Sequence, residues 1–216
     1  ALGLMIGALV GKSGSFIAWP FIILLVLASL LIWKIKRPKI NYDTKLKGNF
    51  KWFEMTILLL LLSIGIRGLI GLSLVLPWKS NLNLLILLTL AVVLGKAFGG
   101  ILGDKYGWVK VALTGLLVAA SLFTFFPNFP YLAMLGAFFF NLTMPITLTA
   151  IANMLPGRVG FAFGLTTLAL VIGAFPTFSA LKPLLNNQIF ILSIILISIT
   201  ALYIGLKLYF NHFHDK

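Results

Sequence analysis

Cysteine is absent from this chain, so it has no disulfide framework, no thiolate metal site and no cysteine nucleophile. Acids are almost as scarce. Asp43, Glu54, Asp104 and Asp215 are the only carboxylates, and none falls in the middle of an apolar run. Histidine occurs only near the C-terminus, as His212 and His214. The His-x-His look of that tail falls short of a metal site, which needs more ligands. Catalysis would need a nucleophile–base pair or a metal cluster, and there is also no Gly-x-Ser-x-Gly. The chain is therefore read as no enzyme and as carrying no metal or cofactor.

What fills the sequence instead is hydrocarbon. Of 216 residues, 61% are hydrophobic and only 10% charged, against roughly half and a quarter in a soluble domain. A bilayer core ~30 Å thick needs ~20 apolar residues of helix to cross it. Such runs follow one another at roughly 15–33, 54–77, 82–103, 109–126, 130–155, 159–181 and 187–208. The expected fold is all-α, a polytopic transmembrane helix bundle. Short breaks separate the runs: Pro77 to Asn81, Gly103 to Gly107, Pro127 to Pro130, Pro156 to Arg158, and Lys182-Pro183. The first apolar run, Ala1 to Val10, is too short to span. With no basic segment before it and no small-residue cleavage site after it, it is not a signal peptide. It reads as the stump of a helix cut upstream, so the chain is expected to be the C-terminal part of a longer protein.

The formal net charge is +13, which in a soluble protein would point to nucleic acid. Here the cations sort by side. Lys34, Lys36, Arg37, Lys39, Lys45, Lys47 and Lys51 crowd one connector that holds a single acid, Asp43. If that connector is cytoplasmic, alternation places Lys105, Lys110, Arg158, Lys207 and Lys216 on the same side, and only Lys12, Lys79 and Lys182 opposite. This is the positive-inside pattern. It predicts a multi-pass protein of the cell membrane with a cytoplasmic C-terminus and no nucleic-acid partner.

The turn after the 82–103 run reads Gly99-Gly100-Ile101-Leu102-Gly103-Asp104-Lys105-Tyr106-Gly107-Trp108-Val109-Lys110. It resembles the signature of the major facilitator superfamily, G-x-L-A-D-R-x-G-R-K-like, found between the second and third helices of each half. Gly100, Leu102, Asp104, Lys105 and Gly107 match, and Gly103 takes the small slot. Trp108 and Val109 replace the usual basic pair, and Lys110 partly restores the charge. By this resemblance, 1–33 would be the end of an N-terminal bundle (part of helix 5, then helix 6). The cytoplasmic interdomain loop would be 34–53, the C-terminal six-helix bundle 54–208 and the tail 209–216, with the remaining N-terminal bundle as partner. The resemblance implies that Asp104, with Gly100, Lys105 and Gly107, gates the cytoplasmic side. Read from the residues alone, Asp104 is also a helix cap, and Gly107 suits a turn with φ > 0.

Inside the apolar runs, cations are costly and usually functional. Arg67 lies near the middle of its run, with small neighbours Ser63, Gly65, Gly68 and Gly71. It faces either a central cavity or a structural ion pair with another half. Lys96, about two turns from its helix end, either snorkels to the interface or adds a second cation to the cavity. Asn141, Pro145, Thr149 and Asn153 recur every four residues on one face. Pro145 frees a backbone carbonyl, a mark of binding sites in transporters. The stripe lines a substrate path or supplies interhelical hydrogen bonds. The candidate substrate-binding set is Arg67, Lys96, Asn141, Thr149 and Asn153. The expected activity is secondary transport of a small solute by alternating access, with efflux of an anionic or drug-like molecule as one form. An ion channel or non-transporting scaffold is the alternative.

Overall fold

A computed structural model describes residues 18–34, 50–74, 76–178 and 188–213. Among them there is no strand, and the chain is an all-α bundle of the membrane-spanning type. Its helices are α1 (Ala18–Lys34), α2 (Phe50–Ser73), α3 (Leu82–Tyr106), α4 (Trp108–Phe125), α5 (Pro130–Asn141), α6 (Thr143–Met154), α7 (Val159–Ala174) and α8 (Gln188–His212). Short 3-10 turns occupy Pro77–Ser80 and Phe175–Phe178. Six stretches are long and apolar enough to cross a membrane: Trp52–Ser73, Leu82–Tyr106, Trp108–Phe125, Pro130–Met154, Val159–Phe178 and Ile189–His212. The residues 1–17, the basic connector 35–49 and the segment 179–187 lie outside the described residues, as do His214, Asp215 and Lys216.

The packing follows from where the small residues fall. Helix α2 lies between α7 and α8, while α5 lies between α3 and α4, and α4 also meets α8. A Cβ at Gly95 or Gly99 would strike the carbonyl of Phe138 or Leu142, so only glycine lets α3 come this close to the backbone of α5 and the residue after it. Gly173 does the same for α7 against Gly65 of α2. Between the helices, Leu60, Ala112, Leu116, Ala119, Ile146, Ala150, Ile151, Ile195, Leu202 and Leu206 form one buried cluster. The outward faces stay apolar: Leu58, Ile101, Phe125, Tyr131 and Val171 are all exposed. In water such a surface would aggregate; in lipid it is the solvated surface.

Contacts at the helix ends sort the turns into two sets. At one end Trp52 stacks on His212 with ring centroids 4.9 Å apart, and Trp108 stacks on Tyr209 at 5.8 Å. Asn153, near the end of α6, donates to the Tyr209 hydroxyl at 3.0 Å. At the other end, the Trp78 indole N–H donates to the carbonyl of Pro127 at 3.0 Å. Thus the start of α2, the α3–α4 turn and the ends of α6 and α8 share one face, as strict alternation of the apolar runs requires. That face carries Lys105, Lys110, Arg158 and Lys207; the Trp78 end carries Lys79.

The expected span at 130–155 is one membrane-spanning stretch, Pro130–Met154, whose helical bonding is interrupted at a single residue, Leu142. Leu142 N–H reaches only back to Phe139 O, at 3.2 Å, and α6 starts afresh at Thr143. The break precedes Pro145 by three residues because the proline ring crowds the carbonyl four residues back, at Asn141, and has no N–H to offer it.

Candidate functional site

The α5–α6 break is where the buried cation docks. Arg67 is 7% exposed. Its Nη1 donates to Thr143 Oγ1, its Nη2 to Thr147 Oγ1 at 2.8 Å, and its Nε to the Ser63 carbonyl at 3.4 Å. Both threonine hydroxyls pass their own protons to backbone. Thr143 Oγ1 lies 3.0 Å from Phe140 O, and Thr147 Oγ1 lies 3.1 Å from both Thr143 O and Met144 O. Of these carbonyls, Phe140 O lies at the C-terminal end of α5, where the helix dipole is negative, and Thr143 O and Met144 O belong to the first turn of α6. Next to Arg67, the Ser63 and Ser198 hydroxyls lie 2.9 Å apart and tie α2 to α8.

No acid faces this cation among the described residues. The described carboxylates are Glu54 and Asp104. Glu54 lies thirteen residues before Arg67 on the same helix, ~20 Å along its axis. Asp104 is exposed at the far end of α3. An uncompensated buried charge is expensive, so this one is held by hydroxyls and dipoles alone.

Arg67 is less central on its own helix than the run 54–77 suggested. Helix α2 ends at Ser73, which leaves Arg67 ~9 Å from that end. Its partner Thr143 nevertheless sits midway along Pro130–Met154. Nor is its helix uncrowded, as the small neighbours suggested: Gly65 and Gly68 lie against the backbone of α7, and only Gly71 opens onto free space.

The polar stripe divides. Asn141 is half-buried and its side chain donates to Ala137 O at 2.8 Å, closing its own helix end. Thr149 and Asn153 sit on the exposed face of α6, roughly opposite Thr143 and Thr147, since two residues turn an α-helix by about 200°. Asn153 is engaged with Tyr209. The structure therefore brings Arg67 together with Thr143 and Thr147, and not with Thr149 or Asn153. The spacing of Thr143 and Thr147, one helical turn apart, was the available signal for this face. Lys96 is half-buried on α3, one residue from Gly95, whose Cβ position would touch Asn141. Among the described residues it has no hydrogen-bond partner.

The motif turn is built as a unit. Gly107 has φ +96° and closes onto Gly103 O at 2.9 Å. Asp104 accepts the indole N–H of Trp108 at 3.0 Å, not a backbone N–H and, among the described residues, not a Lys or Arg. Trp108, the departure from the family pattern, then stacks nearly parallel on Tyr209, with 6° between the rings. Gly100 comes near Pro145, and Gly103 sits against Ile146 and Trp108. Lys105 lies over the Tyr106 ring, its Nζ 5.4 Å from the centroid.

No family model, curated protein or solved structure matches this chain.

Proposed function

We propose that this chain belongs to a secondary active transporter of the major facilitator type, moving a small solute across a cell membrane by alternating access, with its C-terminus in the cytoplasm. One observation carries the reading: a guanidinium buried among spanning helices, opposite a helix break, with no carboxylate facing it among the described residues. Charges at that depth are retained where a solute or coupling ion passes, and broken helices at mid-depth are where transporters expose backbone groups to cargo. The glycine-lined turn at Asp104 supports the gating half of the cycle, because it ties the α3–α4 turn to α6 and α8 at one end of the bundle. The excess of cations at that same end supports its cytoplasmic placement.

The test is flux. The purified full-length protein, with the N-terminal bundle expected upstream of this chain, is reconstituted in liposomes, and counterflow of labelled carboxylates, phosphates and lipophilic cations is measured. Saturable uptake of one class, abolished in Arg67→Gln protein that still elutes as a monodisperse species, is the expected result. Non-saturating conductance, or no flux of any class, overturns the transporter reading.

A further inference from the structure

We propose that Arg67 is the docking point for a small oxyanion, a carboxylate or a phosphate, inside the bundle. This names a ligand class for the site above and rests on the transporter reading only in taking that ligand as cargo. A guanidinium has five N–H donors and no acceptor. Three of those on Arg67 are used, by Thr143, Thr147 and the Ser63 carbonyl. One N–H on each terminal nitrogen is left without an acceptor among the described residues. Guanidinium N–H groups make strong charge-assisted hydrogen bonds to the oxygens of carboxylates and phosphates, the recognition in which arginine exceeds lysine.

The present partners leave the need for an anion unmet. All three are neutral oxygens, and the two hydroxyls have already committed their protons to backbone carbonyls. They hold the guanidinium in place without cancelling its charge. A second cation, Lys96, is half-buried on α3, and Glu54 and Asp104 lie at the helix ends. A cation used only to staple α2 to α6 would be better served by a carboxylate on α6, where Thr143 and Thr147 stand. Threonines give a fixed cradle that still attracts a negative guest.

Binding is tested apart from transport. The full chain in detergent is titrated with sodium acetate and, separately, with inorganic phosphate, at constant ionic strength in chloride, following the thermal midpoint. One of the two should raise the midpoint saturably. Arg67→Lys should weaken that affinity roughly 10- to 100-fold, the loss expected for a charge-assisted hydrogen bond, and Lys79→Gln should leave it unchanged. A second readout needs no change at Arg67. In protein labelled with nitrogen-15 arginine, the Nε–H signal missing from Arg67→Lys protein identifies that of Arg67, which in the unchanged protein should shift along the same binding curve. No saturable stabilisation by either anion, or saturation with the Arg67 signal unmoved, overturns the proposal. Binding without flux keeps it and defeats the transporter reading. Saturable flux of a neutral or cationic solute, with no anion binding, does the reverse.

Discussion

Arg67 on α2 and Thr147 on α6 meet at 2.8 Å although eighty residues separate them in the chain. This bond, with its companion to Thr143, is the polar link between the two parts of the bundle that differ most in build: an unbroken helix and a helix in two pieces. Each hydroxyl accepts from the cation and donates to the backbone of the break, so it serves both. Losing either leaves a buried guanidinium N–H short of a partner.

Thr147→Val should therefore destabilise the purified protein by about 1–3 kcal/mol, the usual cost of stranding a buried polar group. Thr149→Val, two residues on and exposed, should change it by less than about 0.5 kcal/mol. Thermal or denaturant midpoints in detergent compare the two. Equal effects would remove Arg67 from the energetics of the break.

Two adjacent glycines make a sharper contrast. A Cβ at Gly99 would strike the Leu142 carbonyl, whereas one at Gly100 would meet its nearest atom, Pro145 Cβ, at 3.9 Å. Gly99→Ala should cost about 1–3 kcal/mol by overpacking and lower the yield of folded protein. Gly100→Ala should express and unfold like the parent. A tolerated Gly99→Ala would mean that α3 stands too far from the Leu142 carbonyl for a Cβ to strike it.

At the turn, Gly107 has φ +96°, a conformation that side-chain-bearing residues rarely adopt. Gly107→Ala should cost on the order of 1–3 kcal/mol through backbone strain, even though open space surrounds its Cβ position. The same midpoint assay reads the loss, and an unchanged midpoint would show that the turn relaxes freely.

Asp104 and Trp108 can be separated by chemistry. Asp104→Asn keeps an oxygen acceptor for the indole N–H and removes the charge; Asp104→Leu removes both. If the Trp108 bond is what matters, Asn should preserve stability and Leu should lose about 1 kcal/mol. If the charge gates the cycle, Asn should slow turnover in the flux assay while leaving substrate affinity unchanged. Wild-type turnover in Asp104→Asn would reduce the residue to a partner of Trp108.

Side assignment has its own test, helped by the lack of native cysteine. A cysteine replacing Lys79 should react with a membrane-impermeant maleimide on intact cells. One replacing Lys110 should react only after permeabilisation. The opposite pattern would invert the bundle.

Much of this architecture was legible in composition and order alone. Apolar runs of bilayer length dictate helices, because lipid offers backbone N–H and C=O groups no partner outside the segment. Strict alternation then sorts the turns, and the Trp52–His212 and Trp78–Pro127 contacts agree with that sorting. Gly107 could be foreseen as a positive-φ turn because few other residues serve there. Arg67 was visible as an outlier, since a charge within hydrocarbon stands out whatever surrounds it.

Its partners were not visible. A linear sequence shows which residues share a helix face but not which helix that face meets. The period of four picked out Asn141, Thr149 and Asn153 as readily as Thr143 and Thr147, and only packing chose between them. Glycines on α3 and α7 set how closely α3 approaches α5 and α7 approaches α2, contacts that the linear order of residues does not display. Trp108 is the same case at the membrane edge: in sequence a deviation from a basic pair, in three dimensions the ring that joins Asp104 to Tyr209. Local chemistry decides that a segment is a helix and that it lies in lipid, because those depend on each residue's own transfer and backbone energies. Which side chains meet depends on contacts between segments far apart in the chain, and that belongs to the folded bundle.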